Sequence, residues 1–249
     1  LEAVEEVIRD NLNEIGALIV EPIVMNIGMT QPYGDFLQGL RELCDKYGIV
    51  YIFDEVKTGV KVAPGGAAEV YDIEPDLVAA AKSIGGNLPV GAFGGKDWVM
   101  DHIENGAAHY GTYNGNPLGL RAIITQLREV LTDEAYDHVD ALGEQLVAGY
   151  EDIMDDHGIV GHVEHVNSQG VVAFTDETIR NYRDFHREIP AEFHENYWFA
   201  MLNQGVMPHP HDASQQWTIS VQHDEDHIEE HLDAFNNIAP RLADEQAHY

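Results

Sequence analysis

Residues 49–59, IVYIFDEVKTG, place an uninterrupted apolar run directly before two acidic residues. A short run that contains Ile, Val, Tyr and Phe is typical of a strand buried on both faces, as in parallel sheets. An amphipathic helical pattern over residues 33–47 precedes it, and Gly48 between them is the residue type that most often ends a helix. The stretch therefore predicts a helix, a turn and a buried strand in succession.

The same alternation continues on both sides of this stretch. An amphipathic helix is predicted over residues 1–15, and further strands are predicted at 17–22 (ALIVEP), 76–81 (DLVAAA), 89–95 (PVGAFGG) and 107–112 (AAHYGT). Strands that alternate with helices favour an α/β fold with a mostly parallel sheet covered by helices.

From residue 116 the pattern changes. Two long helices are followed by an alternating segment at 158–175 that predicts a hairpin, then by a helix at 191–204, a strand at 217–221 and a last helix at 224–237. We predict a large domain over residues 1–134 and a smaller C-terminal α/β domain over residues 135–249.

The charge is strongly acidic: Lys and Arg number 13, Asp and Glu number 44, and the net charge is −31. Such a charge argues against nucleic acid and anionic membrane as partners. The acidic residues are dispersed and 44% of the chain is apolar, which a disordered acidic tail would not show. Either a cationic partner or a halophilic origin would explain the charge, and only five lysines favour the halophile.

Other features limit the location of the protein. We find no apolar window long enough to span a membrane and no signal peptide. The single Cys44 excludes an internal disulfide and fits a reducing cytoplasm. The chain opens at Leu1 without Met, inside a predicted helix, so we expect that an N-terminal part is missing.

Three polar features follow predicted strands, where open α/β sheets bind ligands. Asp54 ends the strand at 49–53, although an Asp could also simply cap the next turn. Lys82 ends the strand at 76–81, where burial would lower its proton affinity and make it a nucleophile; a lysine reaching out to solvent is the alternative. The turn GTYNGNP (111–117) offers the Thr112 hydroxyl and backbone N–H groups to an anion, unless it is only a capped helix start.

Taken together, these residue types are typical of a site for pyridoxal 5'-phosphate (PLP). A carboxylate keeps the pyridine nitrogen protonated, a lysine holds the cofactor and moves a proton at the substrate carbon, and a hydroxyl with a glycine turn grips the phosphate.

At this point the order of motifs resembles a known family. The chain is similar to the class III aminotransferases, PLP enzymes of fold type I, and within them to the glutamate-1-semialdehyde aminomutase-like branch. The resemblance covers residues 17–130 and extends more loosely to 237. Its motifs are VEP (20–22), IFDEVKTG (52–59), APGG (63–66), PDL…AKSIGGNLPVGAFGG (75–95) and GTYNGNP (111–117).

The resemblance implies a role for five residues. Lys82 would form the Schiff base and Asp54 would pair with the pyridine nitrogen, while Val56 would pack against the ring. Thr112 would contact the phosphate of PLP bound in the other subunit, so the resemblance implies a homodimer with a shared active site. Asn26 would lie near the phenolic oxygen of the cofactor.

The chain also departs from the family pattern. Lys57 stands where many relatives carry Gln and the aminomutases usually carry Met. The aminomutases have a glutamate near Gln215 or Gln216, where this chain has no acid, and they have GTLSGNP in place of GTYNGNP. Family members are much longer, and the part absent here would include the loop that clamps the phosphate.

The resemblance predicts an amino-group transfer on a small amino or keto substrate. We expect glutamate-1-semialdehyde 2,1-aminomutase activity or that of a close aminotransferase relative. One alternative is intermolecular transfer from an amino donor to a keto acid. Another, of a different class, is a non-catalytic truncated remnant that keeps only the dimer interface.

Two other ligand classes are less well supported by the sequence. His223, His227 and His231 recur at helical spacing and could share a face, but an exposed acidic helix explains them and we predict no metal. The HPH segment at 209–211 could line the pocket or be solvated. No G-x-G-x-x-G follows a strand, which argues against a nicotinamide cofactor.

Overall fold

The structure is a computed structural model that describes residues 1–208 and 215–248. The chain forms two compact units. The first contains Leu1–Ile23 and Pro32–Thr132, and the second contains Val24–Gln31 and the chain from Asp133 onward. The short segment Val24–Gln31 thus groups with residues far from it in sequence.

The first unit is built on a four-stranded sheet with the order β1-β2-β3-β4. Strands β1, β2 and β3 are parallel, and β4 runs antiparallel to β3. The bounds are β1 Ala17–Val20, β2 Val50–Asp54, β3 Leu77–Ala81 and β4 Gly91–Gly95. The predicted α/β class with a mostly parallel sheet is confirmed.

Five helices accompany this sheet. They are α1 Glu2–Asp10, α2 Phe36–Tyr47, α3 Gly66–Val70, α4 Asp97–Glu104 and α5 Pro117–Thr125, and a π-helical turn, Gln126–Val130, follows α5. Helix α2 buries Leu37, Leu40 and Cys44, as its spacing predicts, and Gly48 ends it at φ +66°. Cys44 is therefore a core residue.

Asp76, just before β3, joins several elements of the first unit. Its carboxylate accepts from the Tyr51 backbone N–H at 2.8 Å and forms ion pairs with Arg41 at 3.0 Å and Lys96 at 3.2 Å. The guanidinium of Arg41 also lies over the Tyr51 ring, 5.2 Å from its centroid. A buried carboxylate is tolerated because two cations and a backbone donor replace its water.

In its described residues, the second unit combines a three-stranded antiparallel sheet with four helices. Its strands are β5 His162–Val166, β6 Gln169–Ala173 and β7 Gln216–Thr218, and its helices are α6 Asp133–His157, α7 Tyr182–Glu188, α8 Ala191–Asn203 and α9 Glu225–Gln246. The predicted hairpin corresponds to β5 and β6. Aromatic side chains fill the core, among them Tyr150, Phe174, Phe193, Tyr197 and Phe235.

Several predicted elements are wrong. Residues 107–112 do not form a strand; they are exposed and irregular or in a turn, because no neighbouring strand pairs with them. The first of the two long helices predicted after residue 116 ends at Thr125 and is followed by the π-helical turn, and the last helix ends at Gln246 rather than at residue 237. Helices α3, α4 and α7 were not predicted.

Among the described residues, no helix combines the length and the apolar character that crossing a membrane requires.

Candidate functional site

Asp54 and Lys82 arrive at the same edge of the parallel sheet. Asp54 is the last residue of β2 and pairs in register with Ala79 of β3, and Lys82 directly follows β3. The Glu55 N–H extends the ladder by donating to the Ala79 carbonyl at 2.9 Å. Parallel strands place their carboxyl ends together, and that edge is where α/β sheets bind ligands.

The Asp54 carboxylate is half-buried and organises its own turn. Its Oδ1 accepts from the Val56 backbone N–H at 3.1 Å. Asp54 therefore does cap the turn that follows β2, but it uses only one of its two carboxylate oxygens to do so. Within the described residues, no hydrogen bond engages the second oxygen, so a ligand N–H could still be accepted there.

Glu55 points to the opposite face, as strand alternation predicts. It is 2% exposed and accepts three hydrogen bonds, from the Thr58 hydroxyl at 2.7 Å and from the N–H groups of Ala67 and Ala68 at 2.8 and 2.9 Å. Gly66 has φ +69°, and a Cβ there would overlap the Glu55 carboxylate. Glu55 thus fixes the turn after β2 to the start of α3.

Lys82 begins a 3-10 turn, Lys82–Gly85, and has φ +52°. The expectation that it is buried is wrong for the described chain: β3 is half-buried throughout and Lys82 is exposed. Val60, in the turn after β2, has φ +53°. Non-glycine residues rarely adopt this left-handed backbone, and such strain is concentrated at functional sites.

Two further lysines lie in the turn after β2. Gly59 in this turn approaches β3 so closely that a Cβ built on it would lie 3.6 Å from the Ala80 Cβ. Burial, and then the charges of Lys57 and Lys82, lower the pKa of Lys61 to about 8. Sequence reasoning noted Lys57 but missed Lys61, although the scarcity of lysine elsewhere was a usable signal.

Thr112 lies in an exposed segment before α5. Asn116 caps that helix by accepting from the N–H groups of Leu118 and Gly119 at 2.9 and 3.3 Å, and Pro117 occupies the first helical position. The end of the segment GTYNGNP is therefore a capped helix start, which was the alternative to an anion-binding turn. No hydrogen bond in the described part of the chain joins Thr112 to Asp54 or Lys82.

A largely apolar cavity of about 740 Å³ lies beside this segment. Its walls include Leu88, Phe93, Met100, Tyr113, Leu118 and Ile123. Neither Lys82 nor Asp54 lines it, so the cavity and the strand edge are separate features of the first unit.

Asn26 belongs to the second unit, in the 3-10 turn Met25–Ile27, and is exposed. The Gln216 side chain donates to the Met25 carbonyl, and that of Gln215 donates to the His194 carbonyl at 3.1 Å. Both glutamines are buried. Their side chains therefore hold segments of the second unit together.

The three histidines near the C-terminus do not form one binding face. The His231 ring forms a hydrogen bond with the Tyr150 hydroxyl at 2.6 Å. The His227 ring contacts the Asp224 carboxylate at the start of α9. The His223 ring accepts from the Ser220 N–H at 3.0 Å. No metal-binding group of three or more His, Cys, Asp or Glu exists in the described ranges 1–208 and 215–248. The HPH segment lies outside them.

Comparison with known proteins adds an independent observation. The model of the family "Aminotransferase class-III" matches residues 1–238. The chain belongs to this family. The class-III aminotransferase match covers both units, so it accounts for the sheet that carries Asp54 and Lys82 as well as for most of the second unit.

Individual relatives agree with this assignment. The chain is 39% identical over 247 residues to a glutamate-1-semialdehyde 2,1-aminomutase of Salinibacter ruber, covering 97% of this chain and 56% of that protein. It is 37% identical over 240 residues to the enzyme of the same name from Clostridium botulinum, covering 95% and 56%. The class-III chain thus spans about half the length of the curated relatives it matches.

Solved structures show the same fold. An omega-transaminase from Sphaerobacter thermophilus matches with a TM-score of 0.88 and 31% identity, covering 97% of this chain and 55% of that one. A transaminase with PLP bound matches with a TM-score of 0.84 and 26% identity, covering 98% and 56%.

Proposed function

We propose that the protein transfers amino groups with PLP as its cofactor, as a glutamate-1-semialdehyde 2,1-aminomutase or a close aminotransferase relative. The observation that carries this proposal is the convergence of Asp54 and Lys82 at one edge of adjacent parallel strands. The relatives named as aminomutases and the transaminase with PLP bound support it.

The residues at this edge fit the cofactor. PLP supplies an electron sink that stabilises negative charge at the substrate carbon. Lys82 would hold the cofactor covalently and then move a proton at that carbon. Asp54 would accept the N–H of the pyridine ring, because only one of its oxygens is engaged by the Val56 N–H. Val56, half-buried beside it, would pack against the ring.

Thr112 and Asn26 complete the proposed set of cofactor-binding residues. Thr112 lies in an exposed segment, which suits a contact made across a homodimer to cofactor in the other subunit. Asn26 would lie near the phenolic oxygen. We further propose that residues 1–134 form the large domain and residues 135–249 the small domain, although the segment Val24–Gln31 of the large domain groups with the second unit. We also propose that the protein is cytoplasmic and halophilic.

Intermolecular transfer from an amino donor to a keto acid is a second candidate. The observation that favours it is the absence of an acid at Gln215 and Gln216, both committed to backbone carbonyls. Supplying glutamate-1-semialdehyde alone, and separately an amino donor with a keto acid, tests the two reactions. Turnover of the semialdehyde alone is expected, and turnover only with the donor pair would favour the second candidate.

Borohydride trapping on the full-length protein tests the site itself. We expect reduction to fix PLP on the peptide that contains Lys82, and Lys82→Ala to abolish the adduct. Lys46→Ala is a matched control, because Lys46 pairs with Glu5 in the same unit, away from the strand edge. An adduct on another lysine would refute the assignment, and no adduct at all would favour the non-catalytic remnant.

A further inference from the structure

The direction of the Asp54 carboxylate depends on the turn that follows β2. One of its oxygens accepts from the Val56 backbone N–H at 3.1 Å. Val56 begins the turn over residues 56–60, which belongs to no helix or strand. A side chain that bonds the backbone two residues ahead keeps its direction only while that backbone keeps its position. Whatever fixes this turn therefore also fixes Asp54.

Glu55 holds this turn through both its backbone and its side chain. Its N–H donates to the Ala79 carbonyl of β3 at 2.9 Å, and its carbonyl accepts from the Gly59 N–H at 2.8 Å. Its side chain is 2% exposed, and its carboxylate accepts from the Thr58 hydroxyl in the same turn at 2.7 Å. The carboxylate also accepts from two N–H groups at the start of α3, at 2.8 and 2.9 Å. One residue thus ties the turn to both β3 and α3.

The contacts of the Glu55 side chain require a carboxylate. All three partners donate, and a carboxylate offers two acceptor oxygens. A glutamine would replace one of those oxygens with an NH2 group. Ala67 bonds one oxygen and Ala68 the other, so in either orientation of the amide an N–H of α3 would face another donor. Glu55→Gln would therefore loosen the turn without changing the size of the side chain.

We propose that Glu55 is a positioning residue for Asp54. By fixing the turn that supplies the Val56 N–H, it keeps the Asp54 carboxylate directed at the pyridine nitrogen of the cofactor. The inference rests on the proposed function, which takes Asp54 as the partner of that nitrogen. Glu55 points to the opposite face of β2, so it acts through the backbone and not by contact with the cofactor. A nearby carboxylate raises the pKa of a ring nitrogen, and its influence weakens with distance, so a displaced Asp54 would lower that pKa.

Nitrogen NMR of the full-length protein, loaded with cofactor labelled at the pyridine nitrogen, measures whether that atom is protonated. We expect Glu55→Gln to lower the pKa of the nitrogen by about one unit, and Asp54→Asn to lower it further. Asp76→Ala is the matched control, because it removes a second buried carboxylate of the first unit, at the opposite end of β3 from Lys82. The control should leave the nitrogen unchanged. An equal shift in Asp76→Ala would mean that lost stability explains the effect, and would overturn the proposal.

Thr58→Val is a milder variant that remains informative if Glu55→Gln does not fold. It removes one of the three donors and should shift the pKa of the nitrogen in the same direction by a smaller amount. Amide hydrogen exchange in the cofactor-free protein follows the intermediate step. The Val56 N–H should exchange faster in both variants, by about tenfold in Glu55→Gln. Unchanged exchange at Val56, or an unchanged nitrogen in both variants, would overturn the proposal.

The outcomes distinguish this inference from the proposed function. If no cofactor binds, or if Asp54→Asn leaves the nitrogen unchanged, the proposed function fails and the role of Glu55 fails with it. If Asp54→Asn shifts the pKa of the nitrogen but Glu55→Gln and Thr58→Val do not, only the role of Glu55 fails.

Discussion

His231 on α9 should control how acid destabilises the second unit. Its ring bonds the Tyr150 hydroxyl at 2.6 Å, and that hydroxyl bonds the Tyr197 hydroxyl at 2.5 Å. Both tyrosines are buried in the aromatic core. Burial lowers the pKa of His231 from 6.5 to about 4, because the charged imidazolium would lose its water there.

The size of the effect follows from that difference in pKa. Each pH unit between the folded and unfolded values is worth about 1.4 kcal/mol, so His231 contributes at most about 3 kcal/mol. The unfolded chain binds a proton below its pKa of 6.5, whereas the folded chain resists it until about pH 4. The contribution is therefore complete above about pH 6.5 and is lost as the pH falls toward about 4.

Urea denaturation of the unmodified protein and of His231→Phe, at about pH 7 and about pH 4.5, measures this contribution. The carboxylates titrate in both proteins, so the difference between their pH dependences isolates the histidine. We expect the unfolding free energy of the variant to fall by about 2 to 3 kcal/mol less on acidification. His248→Phe, at an exposed histidine of the same unit, should behave like the unmodified protein. Identical acid sensitivity in His231→Phe would refute the argument.

Three other substitutions test the first unit. Gly66→Ala should lower the unfolding free energy by about 2 kcal/mol and weaken PLP retention, because a Cβ at φ +69° overlaps the Glu55 carboxylate. Denaturation measures the first effect and cofactor absorbance the second. A variant unaffected in both would contradict the role of Glu55 in anchoring the turn to α3. Asp76→Ala should lower the unfolding free energy by about 2 to 3 kcal/mol, because Arg41 would keep only Asp45 as a partner and the Tyr51 N–H would lose its acceptor. Urea titration would show this, and a cost below about 1 kcal/mol would mean that the ion pair is replaceable. Asn116→Ala should lower the unfolding free energy by about 1 kcal/mol through loss of the α5 cap, whereas Asn116→Asp should leave it almost unchanged. Equal thermal stability of the two variants would count against the cap.

The sequence was sufficient to predict the parallel strands and the edge at which Asp54 and Lys82 meet. Buried apolar runs identify such strands locally, and their direction then determines which ends coincide. The failed strand at 107–112 and the exposure of Lys82 have a common cause, because strand pairing and burial depend on neighbours distant in sequence. Helix α3 was missed for the same reason: it begins where the Glu55 carboxylate accepts two of its N–H groups, twelve and thirteen residues away.

Adjacent acidic residues at the end of β2 have opposite roles, and strand geometry explains why. Alternation sends Glu55 into the protein and leaves Asp54 at the sheet edge. A buried carboxylate is costly unless donors surround it, and the three donors around Glu55 come from the following turn and from α3. Satisfying Glu55 therefore ties the turn after β2 to the start of α3. The structural carboxylate of Glu55 and the proposed cofactor-binding carboxylate of Asp54 are thus separated by the alternation of one strand.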